Sequence, residues 1–158
     1  MRLLPFLVLP LAWGCDIDKD SGFGSDAEAL VDVGKACVSS DGSYNPWDSG
    51  TDSTTLAADA AAVVTVVLTD CESGSVSFTD FTCEVASDGS TLSVTSSATR
   101  TFPGGDMTAD CNVVSTTCAT PALTEGSWTV LYGGSTAFEV PHSGAPPCAE
   151  GAAYPPVY

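Results

Sequence analysis

The chain has 158 residues, of which 20 are acidic and only four are Lys or Arg, so its formal net charge is −16 at pH 7. A surface with this charge repels the phosphates of nucleic acids and the headgroups of anionic lipids, and nucleic acid is therefore not an expected partner. The length suffices for one domain with a modest hydrophobic core.

The first 14 residues have the pattern of an export signal. Arg2 precedes an apolar run over residues 3–13, which ends at Gly14 and Cys15. A helix that spans a bilayer needs about 20 residues, so this run is too short for a transmembrane anchor and fits the core of a signal peptide. We therefore predict that residues 1–14 are a signal peptide and that the protein is exported.

The end of this segment, Leu11-Ala12-Trp13-Gly14-Cys15, resembles the bacterial lipoprotein signal, in which a short box of apolar and small residues precedes an acylated cysteine. The resemblance implies that Cys15 carries acyl chains and becomes the N-terminus. The lipid bilayer is then a partner, and the protein lies in the cell envelope of a bacterium, at the outer membrane or the periplasmic face. Ordinary secretory cleavage, which releases a soluble protein, is the alternative.

The number of cysteines agrees with lipid attachment. The chain has seven, and because exported proteins pair their cysteines in disulfides, one is left over. If that one is Cys15, the others form three disulfides. These others are Cys37, Cys71, Cys83, Cys111, Cys118 and Cys148. The short spacing of Cys111 and Cys118 favours a local bridge between them, Cys71 with Cys83 is the next preference, and the remaining pairing is open.

Residues 15–34 are predicted to be a flexible acidic tether, because Asp, Ser and Gly dominate them. The alternating carboxylates of Asp16, Asp18 and Asp20 suggest the start of a calcium loop. The other ligand positions do not match, since Ser21 stands where such a loop requires glycine. We expect a hydrated tether with no metal site and no cofactor, and a calcium-dependent adhesion module remains an alternative.

Residues 35–148 form the predicted domain, and the Pro-rich residues 149–158 form an extended tail. Val, Thr and Ser are abundant in the domain, and turn residues recur about every ten positions, which indicates short antiparallel strands. The predicted fold class is all-β, a disulfide-stapled β-sandwich. The expected strands are 36–39, 62–69, 75–78, 82–87, 91–97, 113–117, 128–132 and 136–140.

One of these strands has no polar face. Apolar and β-branched residues follow one another almost without interruption over residues 62–69. This pattern predicts a strand that is buried on both faces. The preceding residues 56–62 could instead form a helical turn or two.

Two hairpins carry register information. An Asp-Gly pair at 88–89 predicts a two-residue turn that places Val85 opposite Leu92, and Cys83 then lies opposite Val94. The side chains expected on the inner face of this hairpin are Phe81, Cys83, Val85, Leu92 and Val94.

The second hairpin follows a Gly-Gly pair at 133–134. A two-residue loop there would turn Phe138 away from the face of Trp128. A three-residue loop through Ser135 pairs Val130 with Phe138 and keeps the large apolar side chains together. The hydrophobic effect favours the longer loop, because a slip of one residue would move every side chain to the wrong face.

A second resemblance covers residues 111–140. The segment contains Cys111-x6-Cys118, then Pro121-x-Leu123-x-x-Gly126-Ser127-Trp128-Thr129-Val130, then Gly133-Gly134 and a strand that ends at Val140-Pro141. This pattern is similar to the closing strands of small immunoglobulin-like domains in secreted bacterial lipoproteins. The resemblance implies an immunoglobulin-like scaffold and no particular activity.

Two places in the domain carry side chains of functional interest. The loop 41–50 contains Tyr44 and Trp47, which could stack on a sugar or a peptide and are the candidate ligand contacts. His142 is the only histidine, and on an extended segment it points away from Ser143, so the two make a poor base and nucleophile. No catalytic residue is predicted.

The sequence therefore predicts an exported, membrane-anchored lipoprotein with a non-enzymatic binding or structural role at the cell envelope. Its partner would be an envelope or extracellular protein or a glycan, recognised by loops and strand edges. A secreted hydrolase or enzyme inhibitor on the same scaffold is the alternative from a different functional class.

Overall fold

The computed structural model of the chain describes residues 26–48, 52–104 and 106–156. The predicted signal peptide, the lipidation site Cys15 and the carboxylates of the predicted tether up to residue 25 lie outside the described residues. The prediction of an all-β fold is confirmed within these ranges, where the chain forms eleven strands and one short 3-10 helix, Pro46–Asp48.

The strands are numbered in chain order. They are β1 (Ala27–Val31), β2 (Lys35–Ser39), β3 (Thr54–Leu56), β4 (Ala60–Glu72), β5 (Ser77–Asp88), β6 (Thr91–Thr101), β7 (Asn112–Leu123), β8 (Gly126–Tyr132), β9 (Gly134–Val140), β10 (His142–Gly144) and β11 (Cys148–Glu150). The predicted strands at 75–78 and 82–87 are thus parts of one strand, β5. The predicted helical turn at 56–62 is instead the end of β3, a turn and the start of β4.

Two sheets and a small strand pair make up the domain. In the five-stranded sheet, β6 pairs along one edge with β5 and along the other with both β1 and β8, and β8 continues to β9. The four-stranded sheet has the order β11-β2-β4-β7, and β3 pairs with β10. The core contains inward side chains from both sheets, among them Val64 and Val66 of β4, Leu92 of β6 and Val130 of β8.

The central strand β4 is buried on both faces, as predicted for residues 62–69. Its residues from Val64 to Leu68 are all buried. One face lies on the core, and the other lies under the loop after β2, because the Thr65 hydroxyl donates a hydrogen bond to the Gly42 carbonyl at 3.1 Å. The loop therefore forms a lid over the outer face of the four-stranded sheet.

The β5–β6 hairpin differs from the prediction in register by two residues. Val85 lies opposite Val94 rather than Leu92, because Gly89 and Ser90 form the turn, with Gly89 at φ +61°. A shift of two residues keeps every side chain on its predicted face, since strand side chains alternate with a period of two.

Phe81 is the exception to the predicted inner face, and it is 41% exposed. The register shifts between Thr79 and Thr82, where Asp80 adopts a positive φ of 55°. This bulge inserts an extra residue and reverses the alternation, so Phe78 packs against the core in place of Phe81.

The β8–β9 hairpin also keeps its predicted face with a different loop. Trp128 pairs with Phe138 and Tyr132 pairs with Gly134, so Gly133 alone lies between the paired ends. Gly133 has φ +69°, which suits a residue without a side chain. The predicted three-residue loop is wrong, but the difference in register is again two residues, and the aromatic side chains still point inward.

Both ends of the described chain pack on the domain. The predicted tether extends to residue 34, whereas the structure pairs β1 with β6, so this part of the prediction is wrong. The apolar Leu30 at the centre of β1 is buried, which favours the strand over a solvated tether. After β11, Gly151 and Ala152 donate backbone hydrogen bonds to the carbonyls of Gly34 and Asp32 at 2.7 Å each.

Tyr132 ties these ends to the core. It is 1% exposed, its hydroxyl donates to the Val33 carbonyl at 2.7 Å, and the Ser96 hydroxyl lies 2.6 Å away. Burial favours the neutral phenol and raises the pKa of Tyr132 to about 12. The hydroxyl therefore stays protonated and serves as a fixed hydrogen-bond donor.

The six cysteines form three disulfides, as predicted, but neither preferred partner pair is correct. The pairs are Cys37–Cys148, Cys71–Cys111 and Cys83–Cys118. Cys118 lies within β7 and Cys111 directly precedes it, so about 23 Å of extended chain separates them, far beyond the ~7 Å that a disulfide can bridge. Cys71, near the end of β4, bonds Cys111 instead of Cys83.

The observed pairs join strands that are neighbours in space. Cys37 and Cys148 lie directly opposite each other on β2 and β11. Cys83 and Cys118 connect β5 to β7 and thereby join the two sheets. Each disulfide that closes a loop of this length typically contributes about 2 to 4 kcal/mol to stability.

We predict that digestion of the oxidised protein with a protease that cleaves after Asp and Glu will show this connectivity by mass spectrometry. No acidic residue lies between Cys111 and Cys118, so both remain on the peptide 111–125. That peptide should be covalently joined to the peptides that contain Cys71 and Cys83. Recovery of 111–125 alone, with an internal bridge, would contradict the structure.

Candidate binding groove

A groove opens on the outer face of the four-stranded sheet, between the loop after β2 and the C-terminal segment. Its volume is about 290 Å³. This is close to the lower end of the volumes of small-ligand sites, which begin at roughly 300 Å³. The lining residues are Gly34, Lys35, Tyr44, Pro46, Val67, Leu68, Thr69, Asp70, Glu150 and Tyr154.

The loop that forms one wall is fixed by side-chain caps on its backbone. The Asp52 carboxylate accepts a hydrogen bond from the Asn45 amide at 2.7 Å, and the Asn45 side chain accepts one from the Trp47 amide at 3.1 Å. The Asp41 carboxylate accepts one from the Ser43 amide, and the hydrogen bonds from Ser43 lower the pKa of this carboxyl group. Such caps give the loop a defined conformation without regular secondary structure.

Trp47 lies at the rim of the groove. Its indole N–H donates to the Asp70 carbonyl at 2.7 Å, and Asp70 and the neighbouring Pro46 both line the groove. The side chain is nevertheless 61% exposed. Tyr44 lies in the wall of the same groove. The structure thus brings the two predicted contact residues to one place and holds the indole in a fixed position.

Charged side chains meet at the opposite wall. The Lys35 ammonium lies 3.0 Å from the Glu150 carboxylate, and both side chains are partly exposed. The hydrogen bond that Lys35 donates to Glu150 raises the pKa of Lys35. An exposed pair of this kind contributes about 0 to 1 kcal/mol to stability, so Lys35 is free to change partners. In the described ranges Lys35 is the only exposed cation, since the other one, Arg100, is buried.

A buried charge positions the third wall. Arg100 is 1% exposed and lies between the rings of Phe102 and Tyr154, with its guanidinium carbon 4.5 and 4.7 Å from their centroids. It forms ion pairs with Glu28 of β1 and, at 3.5 Å, with Glu72 of β4.

The same cluster holds the C-terminal segment. Arg100 donates to the Pro155 carbonyl at 3.2 Å, and the Tyr154 hydroxyl donates to Glu72. Burial, together with the hydrogen bond to Glu72, raises the pKa of Tyr154. Tyr154 therefore remains a neutral phenol whose ring is fixed between Arg100 and the groove.

Sequence reasoning did not identify this cluster, although a signal was present. Every second residue of β6 points inward, and Arg100 occupies the next such position in the series Leu92, Val94, Ser96 and Ala98. A cation at an inward position requires buried carboxylate partners. The identity of those partners depends on the tertiary fold and has no local pattern.

Two titratable residues outside the groove, His142 and Asp110, have hydrogen-bond partners within the protein. His142 contacts the Ala145 carbonyl through Nε2 at 2.9 Å and lies edge-on to Phe138. Asp110 accepts hydrogen bonds from the hydroxyl of Thr108, the amide of Gly74 and the side chain of Asn112, which lower its pKa to about 2.

The described residues contain no group of three or more His, Cys, Asp or Glu side chains that could hold a metal ion. The same part of the chain contains no helix with the length and hydrophobicity that a membrane crossing requires. Comparison of the chain with protein-family models, curated proteins and solved structures finds no match.

We predict that Arg100→Ala will lower the free energy of unfolding by about 3 to 5 kcal/mol, because it leaves the Glu72 carboxylate buried without a cation. The double variant Arg100→Met with Glu72→Leu should recover much of this loss. The matched control is Lys35→Ala, which removes an exposed pair and should cost less than about 1 kcal/mol. Urea unfolding measures all three, and equal losses for Arg100→Ala and Lys35→Ala would show that the buried cluster is unimportant.

Proposed function

We propose that this chain is an exported lipoprotein, anchored in a bacterial membrane through Cys15, with a non-enzymatic binding role at the cell envelope. The pairing of the other six cysteines carries the proposal. Three disulfides are compatible with an oxidising extracellular or envelope compartment. They also use every cysteine after residue 15, which leaves Cys15 over for acylation.

The position of the first described strand supports the same arrangement. The domain starts at β1, and residues 16–26 separate β1 from Cys15. Eleven residues can span at most about 36 to 40 Å when fully extended, so this separation allows the domain to lie beside a membrane surface. The strongly negative charge keeps the domain from lying flat on anionic headgroups.

The binding role is inferred from the groove. Its walls are fixed before any ligand arrives, by backbone caps on one side and by Arg100 on the other. A site of this kind loses little conformational entropy when it binds. The proposed immunoglobulin-like scaffold would present the groove on a sheet face, with loop residues as the contacts.

The test is phase partition in Triton X-114 together with the intact mass of protein from the native host. We expect the protein in the detergent phase, with a mass that corresponds to cleavage before Cys15, added acyl chains and six oxidised thiols. A Cys15→Ala variant should move to the aqueous phase with its three disulfides intact. Recovery of the unmodified chain from the aqueous phase would contradict the proposal.

A further inference from the structure

An aromatic ring, polar side chains and the face of a sheet meet at the groove, and each of these limits the chemical class of ligand that can bind there. Resting on the binding role proposed above, we propose that the groove binds an uncharged glycan, with a pyranose ring stacked on Trp47 and its hydroxyls bonded to Lys35, Asp70 and Glu150.

Trp47 is suited to stacking and to little else. Its single polar atom already donates to the Asp70 carbonyl, so only the faces of the indole remain for a partner. Exposed aromatic surface is unfavourable in water. A sugar ring has an apolar face of C–H groups that can cover this surface, while its hydroxyls stay directed at polar groups.

The polar side chains of the groove match hydroxyl groups. A hydroxyl both donates and accepts hydrogen bonds, and the Lys35–Glu150 pair offers a donor and an acceptor 3.0 Å apart. The Asp70 carboxylate adds a further acceptor. With one cation beside two carboxylates, and a net charge of −16 on the chain, the groove does not favour anionic glycans.

The sheet beneath the groove argues against an extended peptide as the ligand. Peptides commonly add to a sheet through a free strand edge. The floor is formed by residues of β2 and β4. Strand β2 is paired with β11 and with β4, the pairing of β4 with β2 ends at Val67, and beyond it the Asp70 carbonyl of β4 already accepts the Trp47 indole hydrogen bond. The groove therefore offers a ligand mainly side chains.

The experiment is isothermal titration calorimetry on the full exported protein in a detergent without a sugar headgroup. The probes are three neutral hexasaccharides, chitohexaose, cellohexaose and maltohexaose, with oligogalacturonate as the anionic comparison and oligolysine as the cationic peptide. We expect at least one neutral hexasaccharide to bind, and oligogalacturonate to bind at least tenfold more weakly.

Variants connect binding to the groove. Trp47→Ala should weaken the binding of the neutral glycan about tenfold or more, because it removes the stacking surface, and Trp47→Phe should weaken it less. Phe81→Ala is the matched control, since Phe81 is an exposed aromatic residue of β5, a strand of the other sheet. Unchanged urea unfolding of the Trp47 variants would show that the domain remains folded.

Three results would overturn the inference: no binding of any neutral hexasaccharide at millimolar concentration, equal effects of Trp47→Ala and Phe81→Ala, or binding of oligolysine alone. The last result would identify a cationic peptide as the ligand. The outcome is separable from the anchoring proposal. Protein that partitions into detergent and binds no glycan refutes only this inference, whereas aqueous protein that binds glycan refutes only the anchor.

Discussion

The arrangement of the domain depends on a single buried cation. Arg100 extends from β6 into the interior and contacts Glu28 in its own sheet and Glu72 in the other sheet. A guanidinium group in such a site is tolerated only when carboxylates and hydrogen-bond acceptors surround it. The structure brings β1, the end of β4 and the C-terminal segment to one point, where they supply acceptors for both terminal nitrogens of Arg100, while its buried Nε has no hydrogen-bond partner. The same contacts place the ring of Tyr154 at the groove.

Contacts with buried residues and with the sheet therefore determine the shape of the groove. On one side, Tyr154 packs on Arg100, and on the other, Trp47 is fixed by its bond to the Asp70 carbonyl. Two disulfides secure the strands involved, since Cys37–Cys148 joins β2 to β11 and Cys71–Cys111 lies at the end of β4 that contains Asp70. The chain has too few Lys and Arg residues to form many surface ion pairs, and disulfides stabilise the domain instead.

Much of the fold could be predicted from local patterns. The apolar run of β4 indicated burial on both faces, and alternation on β6 and β8 indicated which side chains point inward. The registers of both hairpins were wrong by two residues, because turn chemistry did not fix the loop length. The predictions of which side chains point inward were still correct at most positions, because strand side chains alternate with a period of two.

What could not be predicted depends on contacts between distant segments. The bulge after Thr79 exposes Phe81 and has no clear sequence signal. Cysteine spacing suggested a local bridge from Cys111 to Cys118, but their extended strand keeps them apart. The candidate contacts Tyr44 and Trp47 were evident from the sequence. Tyr154, which lines the same groove, was not, because it belongs to a segment more than 100 residues away in the chain.

In the proposed glycan site, these aromatic side chains form one preformed surface. An NMR titration of the oxidised full chain, labelled at Tyr and Trp, with the neutral hexasaccharide that binds most tightly tests this directly. We expect the resonances of Tyr44, Trp47 and Tyr154 to shift together along one binding curve, while those of the buried Trp128 and Tyr132 stay in place. Shifts confined to Trp128 and Tyr132, or no shift at Trp47, would contradict it.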